Sequence, residues 1–415
     1  MLTLVQFHQN LSSYFENPKQ LDSTMESLLQ KQEYAIPYWL QGSLFNGMPG
    51  IAAYLIGCEH HENAVWSYLA NSYKRLTTQK ELLLSYGYGL TGLSVVVSLA
   101  KSKIPELKPV YNNLNAILLQ HLPAQFLIPG KKFLDERSYV PPNYYNFSHG
   151  LSGILKYLID ETDNIQLLGV TKELIEQLSQ TALIKRSPHP FFITPQYLPE
   201  LQKPFNPDGG VYLSTTIGIS GPLSVLSSAS LKGITTPHLQ EAIFKLSSYL
   251  KTLVKSRIDF SIIFPFNSKP IPPQKNSTDS YLTGWPNIVR SLYLAGLAIK
   301  DTELTQFAKA TFTAYFDEAV SNPSLQGVNF GAGIAGFASI SKKMFEELRL
   351  PNKLHQANSL LNGIIEHFSP EYPLGFKVHF PIVKGTQRLC SAPGILYGST
   401  GIGLALQNGG NLLIL

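Results

Sequence analysis

His149 is the one titratable side chain that stands directly beside a glycine of the chain's repeated Gly-x-x-Gly pattern, in Tyr145-Asn146-Phe147-Ser148-His149-Gly150. An imidazole there could move a proton near neutral pH. It could equally be a histidine held by a neighbouring turn, because no partner carboxylate is identifiable near it in sequence. Asp279, Tyr281 and Arg290 flank a second such glycine, Gly284, and would supply a carboxylate, a phenol and a guanidinium. Arg290 falls in an apolar helical stretch where a charge needs a counterpart, so Asp279 or a bound anion is expected opposite it, in a site or as a plain structural ion pair. Cys390, in Arg388-Leu389-Cys390-Ser391, is either a thiol with a basic neighbour or a small buried residue. Tyr144, Tyr145, Tyr281, Trp285 and Tyr397 gather at the glycine motifs. With Arg290 and Asn329 they suit the gripping of an extended peptide, and as aromatics at helix starts they also suit ordinary packing.

The bulk properties remove several other chemistries. The chain has 415 residues, 44% apolar and 15% charged, enough to bury a large core. Its formal charge of +5 is spread thinly, with no Lys/Arg run interleaved with aromatics, which argues against a nucleic-acid partner. Two cysteines, Cys58 and Cys390, give neither a disulfide framework nor a Cys/His metal cluster, and they fit a reducing compartment. Residues 1–18 lack the charged and apolar segments of a secretory signal, and no uninterrupted apolar stretch has the length of a membrane span. Glycoside hydrolysis would need opposed carboxylates, of which the motif ends offer only Asp208 and Asp279; a terpene cyclase would need an Asp-rich metal motif, and none occurs.

The elements that must position these residues are set by a sevenfold repeat. Gly47-Met48-Pro49-Gly50, Gly89-Leu90-Thr91-Gly92, Gly150-Leu151-Ser152-Gly153 and Gly218-Ile219-Ser220-Gly221 are followed by Gly284-Trp285-Pro286-Asn287, Gly333-Ile334-Ala335-Gly336 and Gly398-Ser399-Thr400-Gly401. Each opens an apolar segment, and successive copies lie roughly 40 to 70 residues apart, room for a helical pair with its connections. One Gly-x-x-Gly carries no information; seven in order predict an array of stacked helical pairs. The glycines would let the backbone turn tightly and approach its neighbours before an inner helix that is apolar nearly all round. Amphipathic segments such as Lys172–Thr181, Thr236–Lys255 and Thr302–Val320 would be the outer helices. Three long stretches, Ile128–Asn146, His189–Gly210 and Phe264–Ser280, are read as loops that bind something or decorate the array.

This motif set resembles the LanC family, the cyclases that form thioether rings in lanthipeptides, over nearly the whole chain. The most specific pieces are Phe45-Asn46-Gly47-Met48-Pro49-Gly50-Ile51 and Ile395-Leu396-Tyr397-Gly398-Ser399-Thr400-Gly401-Ile402-Gly403-Leu404-Ala405-Leu406. The resemblance implies an all-α fold, an (α/α)7 toroid of seven inner and seven outer helices with Gly-rich motif turns around a central site, in a single domain over residues 1–415. It also implies a zinc ion on two cysteines and a histidine, which takes up the substrate cysteine as its thiolate. Here the chain departs from the family. The Trp-Cys-Tyr-Gly stretch reads Tyr281-Leu282-Thr283-Gly284 and the Cys-His-Gly stretch reads Gly331-Ala332-Gly333, which puts Leu282, Gly331 and Ala332 at the zinc positions. The family's Asp in the third repeat becomes Asn146, and its His in the fourth becomes Ile217. Surviving scaffold glycines with inert functional positions lead to an expectation of no cofactor.

Two functions follow from the resemblance. In the first, the protein holds a dehydrated precursor peptide, or its dehydratase, during lanthipeptide-type biosynthesis without doing zinc chemistry. In the second, it closes thioether rings without zinc, since adding a thiol to a dehydroamino acid needs only a thiolate, orientation and a proton donor. His149, Asn146, Asp279 and Tyr281 are then the catalytic candidates, and Tyr145, Trp285, Arg290, Asn329 and Tyr397 the peptide-binding ones. The expected setting is cytoplasmic, with any membrane association made through a biosynthetic complex.

Overall fold

The computed structural model describes residues 2–31, 39–185, 189–198, 203, 207–255, 281, 284–321, 325, 327–381 and 387–407. In chain order its α-helices are α1 (Leu4–Ser13), α2 (Pro18–Lys31), α3 (Met48–Ile56), α4 (Glu62–Thr77), α5 (Leu90–Ala100), α6 (Lys108–Leu122), α7 (Ile128–Glu136), α8 (Pro142–Tyr145) and α9 (Leu151–Leu158). They continue with α10 (Ile165–Leu183), α11 (Ser220–Leu231), α12 (Leu239–Lys255), α13 (Trp285–Ala298), α14 (Thr302–Ser321), α15 (Ile334–Leu348), α16 (Pro351–Gly363) and α17 (Ser399–Leu406). Every glycine motif opens a helix, namely α3, α5, α9, α11, α13, α15 and α17.

The inner and outer helices differ as their sequences demand. In α13 every residue except Leu297 is buried, Arg290 and Asn287 included, as a helix covered on all sides requires. Its partner α14 buries only Leu304, Ala308, Phe312, Phe316 and Ala319, a stripe at helical spacing, and turns its charges outward.

The described residues fall into two compact units. One comprises Met1–Leu83, Gly87–Leu114 and Leu325–Ile414; the other is built mainly of Asn115–Ser324. In the first, motif helices pack in the order α15, α17, α3, α5, with α4 against α3 and α16 against α15. The last copy therefore packs on the first, a closure that periodicity in the sequence does not reveal. In the second unit α9, α11 and α13 pack consecutively, backed by α10, α12 and α14.

Three features depart from the sequence reading. Residues 128–136 are helix α7 rather than loop: Pro129 lies in the first turn, where its missing N–H costs nothing, and the helix stops at Arg137, whose φ of 48 is left-handed. Gly130 is there because Tyr144 packs on it, with its hydroxyl where a Cβ would stand. A small antiparallel hairpin, β1 (Val378–Pro381) with β2 (Gln387–Cys390), stands among the helices, Val378 opposite Cys390. Finally, the stretch from His189 to Gly210 is shaped by an isolated bridge between Ile193 and Gly210 and a short 3-10 helix at Pro195–Tyr197. The segment Phe264–Ser280 lies outside the described residues.

Candidate functional site at the glycine turns

Each glycine turn is built on one plan. Except in the fourth turn, where Ile219 caps α11, the first glycine caps its helix in extended backbone, for example at φ −142 for Gly47, −111 for Gly150 and −134 for Gly398, a region open to any residue. Glycine is needed for close approach, not for an unusual dihedral. A Cβ on Gly47, Gly150, Gly218, Gly333 or Gly398 would run into backbone atoms of the turn just before it, and one on Gly50, Gly153, Gly221 or Gly401 into the carbonyl oxygen six residues earlier. The same tight path lets the N–H after the first glycine donate to a carbonyl seven residues back: Met48 to Gln41 (2.9 Å), Leu90 to Leu83 (2.8 Å), Ile334 to Gly327 (3.1 Å) and Ser399 to Ala392 (2.9 Å). In the third, fourth and seventh turns a hydroxyl at the third motif position locks the turn again: Ser152 donates to the Tyr145 carbonyl, Ser220 to Leu213 and Thr400 to Pro393.

Consecutive turns are also laced to one another through the main chain. In the first unit the Gly331 N–H donates to the Leu396 carbonyl (2.6 Å), Ile395 to Phe45 (2.8 Å) and Phe45 to Gly87 (3.1 Å). In the second unit Phe147 (3.2 Å) and Ser148 (3.3 Å) both donate to Thr216. In these turns the residues just upstream of the first glycine thus lie side by side along each string, held through their backbone groups.

In the six turns where it is described, the residue immediately before the first glycine is the one that reaches solvent beside its buried glycine. Asn46, Tyr88, Ala332 and Tyr397 in the first unit, and His149 and Ile217 in the second, are partly or fully exposed, while nearly all of their neighbours are buried. His149 is the only titratable group among them that changes charge near neutrality, and desolvation by the surrounding turn lowers its pKa below the ordinary histidine value. Its own backbone N–H donates to Asn146 Oδ1 at 2.7 Å, so the imidazole is presented from a fixed base.

The other residues singled out in the sequence sit deeper. Asn146 is buried, and Oδ1 accepts the N–H groups of His149 and Gly150 (3.2 Å), which makes it a cap of the third turn. Tyr281 is buried, its carbonyl accepts from Asn287 Nδ2 (2.6 Å), and burial pushes its phenol well above the usual tyrosine range. Of the residues expected to contact a peptide, Tyr145, Trp285, Arg290 and Asn329 are largely buried, at 0%, 3%, 4% and 0% exposure. The Trp285 indole meets the Phe312 and Tyr315 rings of α14 edge-on, at centroid distances of 4.9 and 5.4 Å. Asn329 Oδ1 caps the sixth turn by accepting the Ala332 N–H at 2.8 Å. Tyr397 alone of that set remains half-buried at a turn. Asp279 and Leu282 lie outside the described residues. Cys390 is buried, which raises its thiol pKa to about 11 and removes the reading of an activated nucleophile.

The turn caps were legible but unread. Ser43, Asn146 and Asn329 each stand four residues before a first glycine, and each side-chain oxygen accepts a backbone N–H three residues on, Ser43 Oγ taking that of Asn46 at 2.9 Å. Asn146→Ala strips the side-chain acceptor from the His149 N–H and leaves Gly150 with the Asn146 carbonyl alone, and it is expected to destabilise by about 1 kcal/mol. Urea unfolding of the variant checks this, and an unchanged midpoint would remove the capping role.

Comparison with known proteins places this geometry in a family. The model of the family described as "Lanthionine synthetase C-like protein" matches residues 38–408. No curated protein matches the chain. Among solved structures it is similar to one titled "Nisin cyclase", with a TM-score of 0.68 and 17% sequence identity over 94% of each chain. The fold class expected from the sequence, an α/α toroid, is the one shared with that cyclase.

Proposed function

The chain belongs to the lanthionine synthetase C-like family, and we propose that it holds a dehydrated precursor peptide at its glycine turns without a catalytic zinc. The observation that carries this reading is what the described residues just before the first glycines offer: an amide, phenols and a methyl at Asn46, Tyr88, Tyr397 and Ala332 in the first unit, and an imidazole and an apolar chain at His149 and Ile217 in the second. Amides and half-buried phenols hydrogen-bond and stack on a polypeptide; they do not activate a thiol.

Zinc does not fit the residues present. Gly331 and Ala332, which the family resemblance puts at two ligand positions, carry no donor atom, and their backbone N–H groups are engaged with Leu396 and with Asn329 Oδ1. Among the described residues no group of three His, Cys, Asp or Glu side chains is arranged to hold a metal ion. No step is therefore routed through a metal. A dehydratase as a second partner, a single domain over residues 1–415 and a cytoplasmic setting belong to the same proposal; among the described residues no helix is long and apolar enough to cross a membrane.

One observation favours a second reading, zinc-independent ring closure. His149 is exposed beside its turn, and an imidazole there can take a proton from a substrate thiol. The test combines metal analysis of the purified, untagged protein by mass spectrometry with incubation of a dehydrated, cysteine-containing precursor. Tight binding, no zinc and no change in thiol consumption are expected. Accelerated thiol loss with one ring pattern, abolished in His149→Ala, would establish the cyclase instead, and stoichiometric zinc would overturn both readings.

A further inference from the structure

Among the side chains that meet solvent at the described glycine turns, Asn46 is the one whose hydrogen-bonding capacity the protein leaves unused. Its main chain is fixed on both sides, the N–H donating to Ser43 Oγ (2.9 Å) and the carbonyl accepting from the Leu40 N–H (3.3 Å). Its carboxamide makes no hydrogen bond among the described residues. The same group is spent elsewhere in the repeat: in Asn146 and Asn329 it is buried and accepts main-chain N–H groups of its own turn. At the first turn Ser43 does that capping, so Asn46, three residues later, is released from it.

Asn46 also stands between two phenols. The first turn is bonded to the seventh, whose Ile395 (2.8 Å) and Leu396 (3.4 Å) donate to the Phe45 carbonyl, and to the second, whose Gly87 carbonyl accepts the Phe45 N–H (3.1 Å). Tyr397, Asn46 and Tyr88 therefore follow one another along the string. Gly394 of the seventh turn comes so near that a Cβ on it would lie 2.8 Å from Asn46 Cα and 3.4 Å from Oδ1, which places the amide over the join between the two turns. Tyr88 is held from behind, because the Phe45 ring fills the space beside Gly87 and meets the Tyr88 ring edge-on at 5.5 Å. None of the residues of these three turns, 43–47, 85–89 and 394–398, carries a charge.

We propose that Asn46 clamps the main chain of the bound peptide, pairing its carboxamide with the N–H and C=O of a single residue while Tyr397 and Tyr88 border the residues on either side. The inference rests on the function proposed above and adds to it a register and a chemical class of segment. In an extended residue the N–H and C=O lie on one side of the chain, as in the paired residues of an antiparallel ladder. A carboxamide presents a donor and an acceptor side by side and so matches both at once. Such a pair reads no side chain, and selectivity comes from its borders. Phenol rings pack on uncharged side chains, whereas a charged one laid over three turns without a counter-ion loses water and gains no partner. The clamped segment is therefore extended, and uncharged on both sides of the clamped residue.

The probe is a dehydrated, cysteine-containing precursor, cut to its shortest binding segment and synthesised with each main-chain amide in turn replaced by an ester, which removes an N–H and keeps the shape. Fluorescence anisotropy compares the full wild-type chain with Asn46→Leu, a side chain of similar size without an amide. The unmodified probe is expected to bind Asn46→Leu about tenfold more weakly than wild type. One ester position is expected to weaken wild-type binding about tenfold and to leave binding to Asn46→Leu unchanged, the coupling that a direct pair requires. The carboxamide bonds to nothing in the free protein, so the melting temperature stays level; a lower one returns Asn46 to the fold and overturns the clamp. Lys or Glu beside the coupled position is expected to weaken binding about tenfold, and equal binding there overturns the exclusion of charge. A probe that binds both proteins equally, or esters that weaken both alike, overturns the clamp and leaves the glycine-turn reading intact. A probe that binds neither protein removes that reading and the clamp together.

Discussion

Gly401→Ala is expected to cost about 3 kcal/mol or more of folding stability, whereas the same change at Gly169 adds about 0.4–1 kcal/mol. A Cβ on Gly401 would be driven into the carbonyl oxygen of Ile395, and that backbone is pinned where it stands because the Ile395 N–H is bonded to Phe45. A flexible side chain could swing away; a laced main chain cannot. Gly169 lies in the second turn of α10 with nothing near its Cβ position, so alanine there only lowers the entropy of the unfolded chain and raises helix propensity. Urea unfolding of both variants gives the comparison. Equal effects from the two substitutions would refute close approach as the reason for the motif glycines.

Trp285→Ala and Tyr397→Ala are expected to separate fold from function. Trp285 is almost wholly buried against Phe312 and Tyr315 of α14, so truncating it should cost about 3–5 kcal/mol. It should leave peptide affinity per folded molecule unchanged. Tyr397 is half-buried at the seventh turn, so its truncation should change stability little and weaken precursor binding about tenfold. Melting temperature and anisotropy on the same preparations read both quantities. A Trp285 variant that folds normally but fails to bind would return the indole to the peptide-contacting set.

The parts of the fold that could be read in advance are those set by local pattern. Seven glycine motifs, each before an apolar run, announced α3, α5, α9, α11, α13, α15 and α17, and the amphipathic stripe of Leu304, Phe312 and Phe316 announced α14 as an outer helix. What escaped depended on partners distant in sequence. Pro129-Gly130 looks like a loop until Tyr144 is seen resting on Gly130. Trp285 and Tyr397 look alike as aromatics beside a first glycine, and only the packing of α13 on α14 puts one inside while the other stays at the rim. Asn146 looks like a carboxylate lost from a site, yet its amide oxygen already has work as a turn cap. The caps at Ser43 and Asn329 show that the motif properly begins four residues before its first glycine.

The bond between the seventh turn and the first also sets a clock for assembly. Helix α3 leaves the ribosome well before α17, so the flank that α17 covers, and the Phe45 carbonyl that Ile395 binds, stay open until α17 has been made. Loop-closure entropy grows only with the logarithm of chain length, so the delay weakens the finished protein little. It lengthens the time during which an apolar helix side is bare, and contacts this far apart in sequence form slowly. The first unit, drawn from segments on both sides of the second, is thus the later to mature, and a chain interrupted before α17 leaves α3 and α15 as sticky edges for chaperones or for other copies to find.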